Sequence, residues 1–187
     1  LVPAAKILLK NKNKNSSMKL LFIAMACLLF SVDTQAQATD TIPVPQVKKP
    51  DGYTSQINVV YTTVNGWNGR LDLYLPPAGN SPAPLLINIH GGAWTHGNKE
   101  SQTGFYSFFK KGFAVANVEY RMSPVAPAPA AIQDTRCALM YLVAHAKELN
   151  IAANCIVIMC SFSGGHLALM TGLLPKDHAF DQNFPVI

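Results

Sequence analysis

Cys160-Ser161-Phe162-Ser163-Gly164-Gly165-His166-Leu167-Ala168 follows directly on the apolar run Ile156-Val157-Ile158-Met159. The run reads as a buried strand over 155–159, the small residues break it, and a helix is expected over 164–174. A strand, a sharp turn and a helix in that succession lift the turn residue to the top of a sheet and present it to a ligand. A second bend of the same kind lies upstream. Leu85-Leu86-Ile87-Asn88-Ile89 is a nearly continuous apolar run, as in a strand covered on both faces, and it ends in His90-Gly91-Gly92-Ala93-Trp94.

Working outward from these bends, the pattern alternates strands with helices. Ile57–Val64 is rich in β-branched residues, and Leu71–Leu75 alternates leucines with Asp72 and Tyr74. Asn65-Gly66 and Asn68-Gly69 between them are turn formers, so the pair is expected as an antiparallel hairpin at a sheet edge. A helix over 101–111 would bury Phe105, Phe108 and Phe109 and stop at Gly112. Phe113–Tyr120 is the next strand. Beyond a loop forced by Pro124, Pro127 and Pro129, residues 130–149 carry apolar side chains at helical spacing. The succession predicts an α/β fold: a mostly parallel sheet with right-handed crossovers, an antiparallel N-terminal hairpin and helices on both faces in a three-layer sandwich.

The N-terminal fifth reads differently. Met18-Lys19 opens a charged start, an apolar run extends from Leu20 to Val32, and Ala36-Gln37-Ala38 supplies small residues for cleavage. Residues 18–38 are therefore expected to be a secretory signal peptide cut after Ala38, with 1–17 upstream of the natural start. The run is shorter than the roughly 20 apolar residues a membrane span needs, and no stable membrane anchor is expected once it is removed. Residues 39–52, with Pro43, Pro45 and Pro50, read as a linker, leaving 53–187 as the foldable part. Residues 1–38 hold five lysines and one aspartate of the chain's 15 basic and 10 acidic residues, so the remainder carries a net charge of +1. That near-neutral balance argues against a nucleic-acid partner. Cys27 lies in the apolar run and is expected to leave with it; the remaining Cys137, Cys155 and Cys160 are odd in number and not spaced as metal ligands, and Cys155 and Cys160 flank a strand expected to be buried, so small core residues are the expectation.

Taken together, His90-Gly91-Gly92 and Ser161-Phe162-Ser163-Gly164-Gly165-His166-Leu167-Ala168 resemble the esterase/lipase branch of the α/β-hydrolases, and in particular the small secreted, feruloyl-esterase-like carboxylesterases. The resemblance covers roughly Ile57 to Leu174, and it implies a domain whose last strands lie beyond this chain. It implies serine-dependent hydrolysis of short acyl or aryl esters, with a small-molecule ester as the partner, ester decorations on plant polysaccharide among its sources, and no cofactor or metal. Backbone amides at Gly91 and Gly92, joined by Gly164, are the expected oxyanion donors. Arylformamidase-like and peptidase-like members carry the same two bends, so amide substrates stay open.

The nucleophile has two registers. In one, Ser163 attacks and Ser161 stands where the pattern has glycine. In the other, a gapless match on Gly164-Gly165-His166-Leu167-Ala168 puts the serine position at Phe162 and the first glycine at Cys160. The second register predicts an inactive site, with Cys160 crowded at the turn. The resemblance places the triad acid and base after later strands, and nothing after Leu174 supplies them. His166, one turn into the helix, is expected to be structural, and Asp177, His178 and Asp181 fall in a short loop. Arg121 is expected to be architectural, and Asp134 and Arg136 to be solvated. The expectation for the polypeptide as written is a non-catalytic form of a serine esterase, with a poorly soluble apolar sheet edge.

Overall fold

The computed structural model describes residues 46–79 and 81–181. The expected upstream segment 1–17, the expected signal peptide, the first half of the expected linker (39–45) and the last six residues lie outside them. In chain order the elements are strands β1 (Thr54–Val64), β2 (Trp67–Leu75) and β3 (Ala83–Ile89), helix α1 (Tyr106–Phe109), strand β4 (Ala114–Val118), helix α2 (Ala130–Ala144), strand β5 (Ile151–Cys160) and helix α3 (Ser163–Leu173). A 3-10 turn at Ala179–Asp181 follows.

The five strands form one sheet in the order β1-β2-β4-β3-β5. β1 and β2 pair antiparallel, β2 joins β4 antiparallel, and β3 runs parallel to both β4 and β5. The hairpin turns on Asn65 and Gly66, both at positive φ (50° and 80°), as a two-residue loop that follows strand twist requires. Asn68-Gly69, expected as a second turn, instead lies inside β2 opposite Thr63 and Thr62. Gly69 is needed there because a Cβ would stand 2.6 Å from the Tyr61 ring.

Alternation along the strands sorts side chains onto two covered faces. Leu71, Leu73, Leu85, Ile87, Ile89, Ala116 and Val118 pack with Ile132, Ala138, Leu142 and Leu167 of α2 and α3. Tyr74, Leu86 and Val115 point the other way, against Tyr53, Phe105 and Phe109. Helices and loops on both faces give the three layers expected of an α/β sandwich. Each fully buried Leu, Ile or Phe contributes roughly 1.5–3 kcal/mol, so the centre of the sheet is its most stable part.

Several expectations are corrected. Only Tyr106–Phe109 of the predicted 101–111 helix forms. The Asn117 side chain captures the Lys99 carbonyl at 2.7 Å, holding the preceding segment as an irregular loop. The long helix ends at Ala144, ahead of a tightening turn that leads to Asn150 at φ 51°. Asp134 and Arg136 are buried, not solvated. Asp134 accepts the Arg121 backbone N–H at 2.8 Å and pairs with its guanidinium at 2.7 Å. Arg136 pairs with Asp181 and donates to the carbonyls of Thr171, Leu174 and Pro175, gathering the end of α3. Of the three cysteines among the described residues only Cys137 is buried; Cys155 and Cys160 are exposed, because β5 is the outermost strand of the described sheet. Among the described residues, no helix is long and apolar enough to cross a membrane, and no group of His, Cys, Asp and Glu is placed to hold a metal ion.

Candidate active site

The two bends meet at the carboxyl ends of β3 and β5, which lie side by side with Ile89 opposite Cys160. Open α/β sheets place their ligands at such strand ends. β5 runs into Ser161 and Phe162, and α3 begins at Ser163. Phe162 holds φ 46° and ψ −117°, a backbone conformation that L side chains rarely adopt. Its ring is 96% exposed. The residue at the apex is thus presented outward, and it is Phe162.

The neighbouring serines point elsewhere. The Ser163 hydroxyl is buried and has no hydrogen-bond partner. Ser161 Oγ accepts the Gly91 N–H at 3.1 Å, tying the apex to the loop after β3. The Ser161 carbonyl accepts the Gly164 N–H at 2.8 Å and closes the turn. Neither Gly91 nor Gly164 therefore has a free amide in this arrangement. Their value is close approach. A Cβ on Gly164 would lie 2.5 Å from the Ile89 carbonyl oxygen, and one on Gly91 would lie 2.7 Å from the Ser161 carbonyl oxygen. Cys160, expected to be crowded, is not: a Cβ on Gly165 would stand 3.7 Å from its Sγ, an ordinary contact. The tight positions of the turn are the glycines.

Gly92 has φ 119°, and its carbonyl accepts the amides of Thr95 and His96 at 3.0 and 3.1 Å. Ala93 and Trp94 follow at φ 51° and 60°. Among the described residues, the Gly92 and Ser163 amides make no backbone hydrogen bond. Each bend thus keeps an amide not spent on a backbone hydrogen bond.

His90 organises the loop from below. Its ring stacks on Tyr120 at 4.4 Å, and the Tyr120 hydroxyl donates to the His90 carbonyl at 3.0 Å. Nδ1 lies 2.7 Å from the Gly91 carbonyl, which can only accept, so Nδ1 carries the proton. Burial pushes the imidazole below its ordinary pKa against the opposing pull of Gly91 and Glu100, which keeps it neutral. Nε2 is buried without a partner. Beside the loop, Lys99 is fully buried between Asp72 and Glu100, at 2.9 and 2.6 Å. Burial works to lower the Lys99 pKa, and the two carboxylates more than offset it.

His166, expected to be structural, is exposed and meets Trp94 edge to face at 5.6 Å. Together they border a cleft of about 440 Å³. Arg121, expected to be architectural, anchors α2 through Asp134 and lines the same cleft. Asp181 is engaged by Arg136, and His178 Nδ1 accepts the Phe180 N–H at 3.2 Å. Neither of these residues is brought to the apex by any described contact. The cleft itself was not foreseen; its signal was the aromatic Trp94 placed two residues after the glycine pair.

Comparison with known proteins places this arrangement. The BD-FAE family model matches residues 71–186, more than half of the chain. An AB hydrolase superfamily protein of Schizosaccharomyces pombe is 32% identical over 149 residues, covering 78% of this chain and 38% of that protein. A probable carboxylic ester hydrolase, LipM, of Mycobacterium tuberculosis is 36% identical over 104 residues, covering 54% of this chain and 24% of that protein. Among solved structures, a truncated form of a carbohydrate esterase from gut microbiota superposes with a TM-score of 0.56 at 33% identity, covering 66% of this chain and 45% of that one. The chain spans less than half the length of each.

Proposed function

The chain belongs to the BD-FAE family, in the esterase branch of the α/β-hydrolases, and we propose that it carries the oxyanion loop and nucleophile turn of a carboxylesterase-type hydrolase in which Phe162 occupies the nucleophile's position. The observation that carries this reading is the backbone at Phe162, φ 46° and ψ −117°, between the end of a parallel strand and the first residue of a helix.

In such a site a serine at the apex adds its oxygen to the ester carbonyl carbon while a base takes the hydroxyl proton. The carbonyl oxygen becomes an oxyanion, the alcohol leaves with a proton, and water then releases the acid from the acyl-enzyme. Oxyanion stabilisation requires donors fixed in advance, each worth about 3–4 kcal/mol of barrier. The unspent amides of Gly92 and Ser163 suit that role, because they come from the loop and from the residue after the apex. Gly91 and Gly164 act by permitting the contact between the bends.

With phenylalanine at the apex the first step has no nucleophile. The two adjacent serines do not substitute, since Ser163 Oγ is buried and Ser161 Oγ accepts a loop amide. In the form written here the chain is therefore a non-hydrolytic version of an ester-binding site. Its ligands are short acyl or aryl esters, and the likeness to a carbohydrate esterase favours esters borne on carbohydrate. Residues 18–38 direct its export.

The test is turnover of p-nitrophenyl acetate by the natural-length protein, beside its Phe162→Ser and Ser163→Ala variants. Background rates in the unsubstituted protein and enzyme-dependent turnover in Phe162→Ser are expected. Turnover by the unsubstituted protein that disappears in Ser163→Ala would overturn the reading.

A further inference from the structure

We propose that the surface where residues 46–49 lie beside α1 binds a carboxylated polysaccharide, at a place separate from the two glycine bends and independent of the ester-binding reading. Two lysine pairs far apart in the sequence, Lys48-Lys49 and Lys110-Lys111, are exposed there. Lys48 Nζ and Lys110 Nζ lie 5.4 and 5.8 Å from the centre of the Tyr106 ring, within the range at which a ring attracts a cation. One exposed tyrosine thus holds an ammonium group from each pair.

Buried contacts fasten the two segments together. Tyr53 is 8% exposed, its ring packs on Phe109 at 4.9 Å, and its hydroxyl lies 2.9 and 3.1 Å from the Phe109 and Phe113 carbonyls. Lys49 Nζ donates to the Tyr53 carbonyl at 2.7 Å, and Val47 packs against the core that Phe105 and Phe109 share with Tyr74. The charge is concentrated by this arrangement. Residues 39–187 carry ten basic residues and a net charge of only +1, yet four of the ten are these lysines. None of the four pairs with a carboxylate among the described residues, Asp51 included. Like charges about 4 Å apart repel by roughly 1 kcal/mol even in water, and a bound anion relieves that repulsion.

A cleft of about 470 Å³ adjoins the lysines and decides what kind of anion fits. Gln46 and Lys49 line it from the same segment, with Ser55, Asn58 and Gln102 completing a wall of amides and a hydroxyl. The strand is reshaped at this point by a bulge between Gln56 and Val59, where Asn58 takes φ 59°; bulges re-aim side chains in this way. Asp72 and Glu100 also line the cleft, and buried Lys99 lies against both, at 2.9 and 2.6 Å. The cleft therefore suits a ligand rich in hydroxyl groups, and the lysines beside it suit carboxylates. A uronate-bearing polysaccharide offers both along one chain. A flat anionic lipid surface offers nothing to the cleft.

The experiment is calorimetric titration of the natural-length protein with polygalacturonate, beside fully methyl-esterified polygalacturonate, which keeps the chain and removes its charge. Binding of the charged form alone is expected, weakening as salt is raised from about 0.05 to about 0.5 M. Lys48→Gln/Lys110→Gln is expected to weaken it about 2- to 30-fold. Lys147→Gln/Lys176→Gln makes the same change in net charge at exposed lysines elsewhere and is expected to change it less than about 2-fold. Ser55→Leu, which adds bulk at the cleft without altering charge, is expected to weaken binding as well. Equal binding of the esterified chain, or equal losses in the two double variants, would overturn the site. So would absence of polygalacturonate binding together with capture by phosphatidylglycerol vesicles that Lys48→Gln/Lys110→Gln abolishes, since the lysines would then serve a lipid surface. These readouts do not involve ester turnover, so an inert Phe162→Ser protein would sink the hydrolase reading and leave this site standing.

Discussion

Replacing Phe162 by glycine is expected to stabilise the protein, although the position lies at the centre of the candidate site. A non-glycine residue held in a sparsely populated backbone region costs of order 1–3 kcal/mol. The Phe162 ring is 96% exposed, so its removal gives up almost no packing. Glycine relieves the strain and loses about 0.5–1 kcal/mol through the greater freedom of the unfolded chain. The net gain is about 1 kcal/mol, or roughly 2–4 °C in melting temperature for a protein of this size. Phe162→Ala is the control: it removes the same ring but keeps the Cβ that the conformation disfavours, so its stability stays near that of the unsubstituted protein. Urea denaturation of the three forms, compared by midpoint at constant slope, separates the cases. A stabilisation shared equally by alanine and glycine would locate the cost in the exposed ring. A glycine variant destabilised by more than about 1 kcal/mol would refute the strained apex altogether.

Gly164→Ala pushes a Cβ to 2.5 Å from the Ile89 carbonyl oxygen and is expected to destabilise by about 1–3 kcal/mol, measured by the same denaturation. Gly165→Ala, with 3.7 Å of room, is expected to change stability by less than about 1 kcal/mol. Because burial holds His90 below its ordinary pKa, the unfolded chain takes up its proton first as pH falls. Stability is therefore full above about pH 6.5 and declines below it towards the folded pKa. Denaturation midpoints at pH 7.5 and 5.5 are expected to differ less in His90→Gln than in the unsubstituted protein. Asp134→Ala strands the buried Arg121 guanidinium and is expected to cost about 3–5 kcal/mol, against a small effect for exposed Asp177→Ala.

The frame of the fold was legible because it is written locally. Leu85 to Ile89 is apolar enough to be covered on both faces, Asn65-Gly66 can satisfy the positive φ of a tight hairpin, and the break after Met159 announces a turn. What was not legible depends on partners far along the chain. The helix expected over 101–111 shrinks because Asn117 captures the Lys99 carbonyl, 18 residues away. Asp134 and Arg136 read as solvated until Arg121 and Asp181, 13 and 45 residues distant, are brought against them. At the site, the meeting of two glycine bends was foreseeable, and the direction of each side chain was not. Spacing alone left Ser163 and Phe162 as rivals for the apex; the positive φ falls on Phe162, and the helix then turns Ser163 inward. Of the expected oxyanion donors Gly91, Gly92 and Gly164, our reading keeps Gly92 and puts Ser163 in place of Gly91 and Gly164, since Ser161 engages both of the latter.

The most direct test of position 162 as the nucleophile's place is covalent. The natural-length protein and its Phe162→Ser variant are treated with a fluorophosphonate, which phosphonylates an activated serine with loss of fluoride, and the modified residue is located by peptide mass spectrometry. The account predicts no modification at 161–163 in the unsubstituted protein and a single adduct on the serine introduced at 162. An adduct on Ser163 of the unsubstituted protein would contradict it.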